Sequence, residues 1–204
     1  MNSNSPTQEQ FQRAIKVLRG GGIVAFPTET YYGLGVDIDN QKGVNALFEL
    51  KKRDPAKPIL VLIDDCSQLP KITTAVPQPY EKLIRCFWPG PLTLIFPAAP
   101  NLTSLLTGSA KSIGVRLSPH PIAIQLCRMW GKPLTATSAN ISNQRPAQNA
   151  EMVKEMFGDK IDYILDGGQT PGGKCSTVVG LDNQELTLIR KGRISFAEII
   201  TSLN

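Results

Sequence analysis

The stretch Gly21-Gly22-Ile23-Val24-Ala25-Phe26-Pro27-Thr28-Glu29-Thr30-Tyr31-Tyr32-Gly33-Leu34-Gly35 sets the local plan of this chain. Its apolar run at 23–26 has the length of a buried strand. Pro27 has no N–H to give to a ladder, so it is expected to end the strand and turn the chain out of the sheet. Thr28, Glu29 and Thr30 then put two hydroxyls and a carboxylate at the strand exit, where a binding site would lie. Gly33 and Gly35 would admit backbone conformations or close approaches that a Cβ blocks. A plain strand, turn and strand fits the same residues, and the segment alone leaves both readings open.

Upstream, Thr7 and Gln10 have capping-box spacing, and Phe11, Ala14, Ile15 and Leu18 follow at helical intervals until the glycines at 20–22. Downstream, Val44, Leu47, Phe48 and Leu50 mark a second helix that ends in Lys51, Lys52 and Arg53 before Pro55, and 59–63 reads as the next strand. Further strands are expected at 92–96, 113–117, 134–137, 163–165, 177–181 and 186–189, with helices at 79–87, 121–130, 149–157 and 196–203. Pro121 suits a first helical turn, and Ser195 with Glu198 repeats the capping-box spacing. The alternation predicts an α/β fold. The helix-free stretches at 88–118 and 166–194 leave room for adjacent antiparallel strands, so a twisted, mixed parallel and antiparallel sheet with flanking helices is expected. No repeat, low-complexity tract or linker interrupts the pattern, and one domain over 1–204 is expected.

Of the 204 residues, 41% are apolar, enough for a substantial core without staples. Lys and Arg number 22 against 17 Asp and Glu, and the resulting charge of +5 suggests an anionic partner such as a nucleotide, phosphate or RNA. No apolar run approaches the roughly 20 residues of a membrane span, and the first ten residues lack the basic start and apolar centre of a leader. A cytoplasmic protein with no membrane partner is expected. Cys66, Cys86, Cys127 and Cys175 form no Cys-x-x-Cys pair, which argues against a zinc knuckle or a redox motif and for reduced thiols. His120 is the single histidine, so a His-rich metal site is excluded and a Ser-His-Asp triad would have to use it. Lying between Pro119 and Pro121, it reads as part of a turn.

Four further clusters could carry chemistry. In Lys51-Lys-Arg-Asp-Pro-Ala-Lys57-Pro, cations leave a helix end and enter a loop, where Lys51, Arg53 and Lys57 could surround a polyphosphate or could complement the helix dipole. Ser112-Ile-Gly-Val-Arg116 is a buried-looking strand broken by one arginine, which needs a carboxylate ligand or an internal salt bridge. Thr135-Ala-Thr137-Ser138-Ala-Asn140 gathers hydroxyls and an amide at a strand end, the place where open α/β sheets bind ligands, and it also fits a capped turn. It lacks the Gly-x-Ser-x-Gly of a nucleophile elbow. Finally, Gly172-Gly-Lys-Cys-Ser176-Thr177 precedes one strand and Arg190-Lys191-Gly192 ends another, without the spacing of a P-loop.

Taken in order, PTETYYGLG, KKRDPAKP, WPGPLT, SIGVRLSPHP, TATSAN, CSTVVG and LIRKG resemble the YrdC-like family, the threonylcarbamoyl-AMP synthases that supply the carbamoyl donor for threonylcarbamoyladenosine in tRNA. The resemblance covers about residues 8–200 and fits the short, single-domain type. It implies a concave basic cavity that takes ATP, L-threonine and bicarbonate and releases pyrophosphate. By position, Arg53, Lys57, Ser112, Ser138 and Arg190 match the nucleotide contacts. Thr30, Arg116 and Ser176 match those holding threonine, Lys51 belongs to the basic signature, and Asn140 supports them. Lys51 and Arg53 are implied as electrostatic catalysts with no covalent nucleophile. Magnesium is expected to arrive with ATP, without protein ligands, and the downstream tRNA threonylcarbamoyl transferase machinery is the implied partner. Two departures stand out: Tyr31 replaces a commonly small aliphatic residue, and Leu62 stands where some relatives have histidine.

The chemistry agrees with this assignment. Bringing a carbamate oxygen to the α-phosphorus while two anions are held together requires positive charge, donors and alignment, which arginines, a lysine and hydroxyls supply. One rival reading is a double-stranded RNA or tRNA-binding module using the same basic concavity. Against it, aromatic residues make up only 6% and no stacking platform is evident. A second rival is a YrdC-like paralogue with another nucleotide-dependent carbamoylation activity.

Overall fold

The computed structural model describes residues 5–203; the ends of the expected domain, 1–4 and 204, lie outside the described residues. In chain order the elements are α1 (Gln8–Arg19), β1 (Val24–Pro27), β2 (Tyr32–Gly35), α2 (Gln41–Lys51), β3 (Val61–Ile63), α3 (Leu69–Ile72), α4 (Gln78–Phe87), β4 (Leu92–Pro97) and α5 (Ser104–Thr107). They continue with β5 (Ser112–Leu117), α6 (Pro121–Trp130), β6 (Leu134–Thr135), β7 (Thr137–Ser138), α7 (Ala150–Phe157), β8 (Tyr163–Ile164), β9 (Thr177–Asp182), β10 (Glu185–Arg190) and α8 (Phe196–Thr201).

Local signals place the helix starts. Thr7 and Gln10 close a full capping box on α1, which buries Phe11, Ala14, Ile15 and Leu18 as the spacing predicts. Asn40, Asn149 and Ser195 cap α2, α7 and α8 through their side chains. The stretch 88–118 is not free of helix, because α5 interrupts it for one turn that buries Leu106.

The mixed α/β architecture is present, and its strands are divided between two sheets. One has the order β7-β2-β1-β8 and the other β10-β9-β4-β5-β3-β6. Parallel pairs β1/β8, β3/β5 and β4/β9 occur beside antiparallel neighbours. The strand expected at 134–137 is in fact two: β6 pairs with β3 in the larger sheet, and after Ala136 the chain joins the smaller sheet, where β7 pairs with β2. One buried cluster spans both sheets, joining Ala25 and Leu34 to Leu94, Val115 and Leu47. A second packs Phe11 and Leu18 of α1 against Phe26, Leu62 and Leu126.

Pro27 does not leave the sheet as expected; it is the last residue of β1, opposite Tyr32. The Tyr32 N–H is donated to Ala147 O, away from β1. Pro27 therefore occupies a non-hydrogen-bonded position, where a missing N–H costs nothing. The hairpin then closes through Thr28 N–H to Tyr31 O at 3.1 Å.

Gly35 is required for space: a Cβ there would stand 2.9 Å from Phe26 Cε1 and 3.0 Å from Thr135 O. Gly33 is under no such constraint, since its nearest neighbour would be Phe26 Cζ at 3.5 Å. Gly35→Ala is therefore expected to destabilise the protein by about 1–3 kcal/mol, read as a lower urea midpoint with an unchanged slope. An unmoved midpoint would show that the β1–β2–β6 junction yields easily.

Candidate functional site

A cavity of about 280 Å³ lies where the two sheets meet, walled by the 28–33 hairpin, strands β4 and β5, the crossing at 136–138, and residues 175–178 and 189–190. Beside it a recess of about 180 Å³ opens between the end of α2 and the turn after β7. The two share Arg53 and Ser138. Thr30, Arg53, Ser112, Arg116, Ser138, Ser176 and Arg190 line the larger space, and Lys51, Lys57 and Asn140 line the smaller. The residues singled out from the sequence thus come together around two adjacent recesses.

Lys51 ends α2 and is buried, with 1% exposure. Its ammonium donates to Ser138 O, to Asn140 O at 2.7 Å and to Asn140 Oδ1 at 3.3 Å. Burial, and then the neighbouring Arg53, draw its pKa down to about 7, against the pull of three acceptors that favour the ammonium. Lys52 follows in the left-handed conformation with φ 49° and reverses the chain into the Arg53 loop. The Arg53 Nε and Nη2 donate to Lys57 O and Pro58 O at 2.8 and 2.7 Å. Burial, and then Arg190, lower the Arg53 pKa. Lys57 is exposed on the rim of the smaller recess.

On the facing wall, Arg190 Nη2 donates to Ser176 O and Oγ at 3.0 Å, and Ser176 Oγ lies 2.9 Å from Thr93 Oγ1. Ser138 Oγ donates to Asn140 Oδ1 at 2.6 Å, and Asn140 Nδ2 donates to Ile141 O and Gln144 O. Ser138 is therefore a donor held by an amide oxygen, which is no general base.

Arg116 forms an internal salt bridge, its Nη1 pairing with Glu29 Oε1 while Ser118 Oγ donates to Glu29 Oε2. Burial, and then Arg190, lower the Arg116 pKa to about 10, so it stays charged at neutral pH. Its Nε has no partner among the described residues.

Glu29 was legible as a carboxylate at a strand exit, but nothing in the sequence pairs it with Arg116. Thr93, Thr137, Cys175 and Tyr31 also line the cavity; each lay in a quoted motif, but none was given a site role there. Leu62, where histidine occurs in some relatives, is fully buried in the core cluster with Phe11 and is not a wall residue.

Lys51 gives a pH signature. With a folded-state pKa near 7 against an ordinary 10.5, the unfolded chain holds more protons between these values. Its contribution to stability is therefore complete above about 10.5 and is lost as pH falls to 7. The unfolding free energy of wild type minus that of Lys51→Met should therefore rise from pH 7 to 9 in urea titrations. A constant difference would mean that Lys51 titrates like an exposed lysine.

A family model described as "Telomere recombination", for Sua5, YciO and YrdC, matches residues 16–192. The chain is 38% identical over 186 residues to the Threonylcarbamoyl-AMP synthase of Pyrococcus abyssi, covering 91% of this chain and 55% of that protein. It is 38% identical over 200 residues to the protein of that name from Bacillus subtilis, covering 98% and 57%. The chain thus spans a little over half the length of these two relatives. With the Threonylcarbamoyl-AMP synthase of Vibrio campbellii it shares 34% identity over 186 residues, 90% of this chain and 100% of that one. Among solved structures, P. abyssi Sua5 complexed with L-threonine superposes with a TM-score of 0.90 at 37% identity, over 94% of this chain and 56% of that chain. E. coli YciO, at 24% identity and a TM-score of 0.83 over 93% of this chain and 92% of its own, shares the fold. With the family model matched from 16 to 192 and these identities sustained along the chain, it belongs to the Sua5/YciO/YrdC family.

Proposed function

We propose that this chain is a nucleotidyltransferase that forms L-threonylcarbamoyl-AMP and pyrophosphate from L-threonine, bicarbonate and ATP, for the threonylcarbamoyladenosine modification of tRNA. The observation that carries this reading is the joining of the two recesses through Arg53 and Ser138, which gives a polyanion and an amino acid one shared wall. The names of the relatives and the threonine complex of P. abyssi Sua5 support it.

In this scheme Thr30, Ser176 and Arg116 hold threonine. Arg53, Lys57, Ser112, Ser138 and Arg190 hold the nucleotide. The threonine amine combines with bicarbonate, losing water, to give a carbamate. A carbamate oxygen bonds to the α-phosphorus as the bond to the pyrophosphate oxygen breaks, and the departing charge meets cations already in place. Lys51 acts electrostatically and fixes the Ser138–Asn140 turn.

The walls offer cations and hydroxyls, and among the described residues no group of three or more His, Cys, Asp or Glu could hold a metal. The donor set fits phosphates rather than a bare cation, so magnesium belongs with the ATP phosphates. No helix among the described residues is long and apolar enough to cross a membrane. The expected setting is the cytoplasm, with the tRNA threonylcarbamoyl transferase machinery taking the product.

Pyrophosphate release should require ATP, bicarbonate and L-threonine together, with the adenylate identified by mass spectrometry; equal release without bicarbonate would refute the carbamate route. Arg53→Ala should raise the KM for ATP. Arg116→Lys, which keeps a charge for Glu29 but loses the fork, should mainly raise the KM for threonine. Equal effects on both substrates would contradict the division of the cavity. Ser138→Ala should lose only the roughly 0.5–3 kcal/mol of one contact, and the turning-over enzyme should carry no AMP on Ser138.

A further inference from the structure

The 28–31 turn and the 171–175 loop meet at the cavity wall. Gly172 and Gly173 have φ of 63° and 82°. No atom lies within 4 Å of a Cβ built on Gly173, so that position is glycine for its backbone conformation and not for space. Two consecutive left-handed glycines give a loop great conformational freedom, and its order must come from bonds to its surroundings. Gly172 N–H donates to Thr30 O at 2.7 Å. Arg193 bridges the two segments, donating to Glu29 O at 2.9 Å and to Gly172 O at 3.4 Å. Further along, the Tyr31 phenol hydroxyl donates to Gly173 O at 2.6 Å, and beyond it Arg193 N–H donates to Cys175 O at 2.9 Å, so Tyr31 holds the middle of the loop. Lys174 follows, exposed, and then Cys175 and Ser176 enter the cavity wall.

We propose that Tyr31 is a positioning residue, a strap that fixes the 171–175 loop and through it sets Cys175 and Ser176 at the amino-acid end of the cavity. Its phenol ring also lines the cavity, so the hydroxyl and the ring contribute separately. Removing the hydroxyl releases Gly173, while Gly172 keeps its bonds to Thr30 and Arg193, and disturbs no buried group, because the bond lies at the exposed edge. The 172–174 segment then shifts relative to Thr30 and displaces the neighbouring Ser176 wall by the little that its bonds to Arg190 and Thr93 allow, while Arg53 and Lys57, held by the α2 loop, do not move.

The assignment to the amino-acid end rests on the reaction proposed above; the strap itself does not. Both are tested with Tyr31→Phe, which retains the ring, and Tyr31→Ala, which does not. Limited trypsinolysis, with peptide mapping, reads cleavage after Lys174. Loss of one hydrogen bond should speed this cut roughly two- to tenfold in Tyr31→Phe, with the thermal midpoint unchanged. In pyrophosphate assays the KM for threonine should rise by a similar factor, with the KM for ATP and kcat unchanged. Tyr31→Ala should exceed Tyr31→Phe in both readouts.

Unchanged cleavage after Lys174 in Tyr31→Phe would overturn the strap. Faster cleavage with an unmoved threonine KM, or with both substrates affected alike, would overturn its action at the amino-acid end. If the wild type releases no pyrophosphate with threonine, the proposed reaction has failed, and cleavage after Lys174 still decides the strap.

Discussion

The buried ammonium of Lys51 is the constraint on which the site depends. Three hydrogens meet three carbonyl oxygens, two from the backbone of Ser138 and Asn140 and one from the Asn140 side chain. The backbone bond runs the other way, with Ser142 N–H donating to Lys51 O at 2.9 Å. The end of α2 and the turn after β7 are thereby locked from both sides. A carboxylate in place of these carbonyls would cancel the charge. The three dipoles offset part of the burial penalty without supplying a countercharge, and burial still draws the Lys51 pKa down to about 7.

That lock matters because the turn it fixes begins where the chain changes sheets. β6 is bonded to β3 and β7 to β2, with Ala136 N–H donating to Leu60 O between them. Each residue on the crossing belongs to the wall between the sheets, which is why small side chains and hydroxyls occupy it. The close approach of Gly35 to Thr135 brings the sheets together, and Val36 N–H donates to Thr135 Oγ1 at 2.8 Å to hold them. The cavity is the space left where the two sheets diverge from this seam.

Elements governed by neighbours in sequence were legible beforehand. The capping box at Thr7, the proline start of α6 and the stop at Gly20 depend on contacts within a few residues, and their boundaries fell close to expectation. The splitting of 134–138 between two sheets was not legible, because a two-residue strand carries no periodicity and its partner is set by long-range packing. The placement of Pro27 failed for a related reason: whether a missing N–H matters depends on which way the partner's N–H points. Within the site, residue types announced themselves and pairings did not. Arg116 was evidently in need of a partner, yet Glu29 stands 87 positions away and meets it only through tertiary structure. Lys51 read as one cation in a run of three, and only burial separates it from exposed Lys52.

The arginines are electrostatically linked across the cavity. Burial lowers the pKa of both Arg53 and Arg116, and Arg190 is the second cause in each case. Arg190 thus stands between the two halves of the cavity and repels a guanidinium in each. Glu29 is turned toward Arg116 and Ser118 and is the only carboxylate bonded to these three arginines among the described residues. Without ligand, the fold therefore holds like charges together in a partly desolvated space, a cost met by the surrounding core. An anion reaching from the Arg53 side to the Arg116 side would relieve both repulsions at once, whereas an anion confined to either half would relieve one. That geometry couples the two halves of the cavity through Arg190.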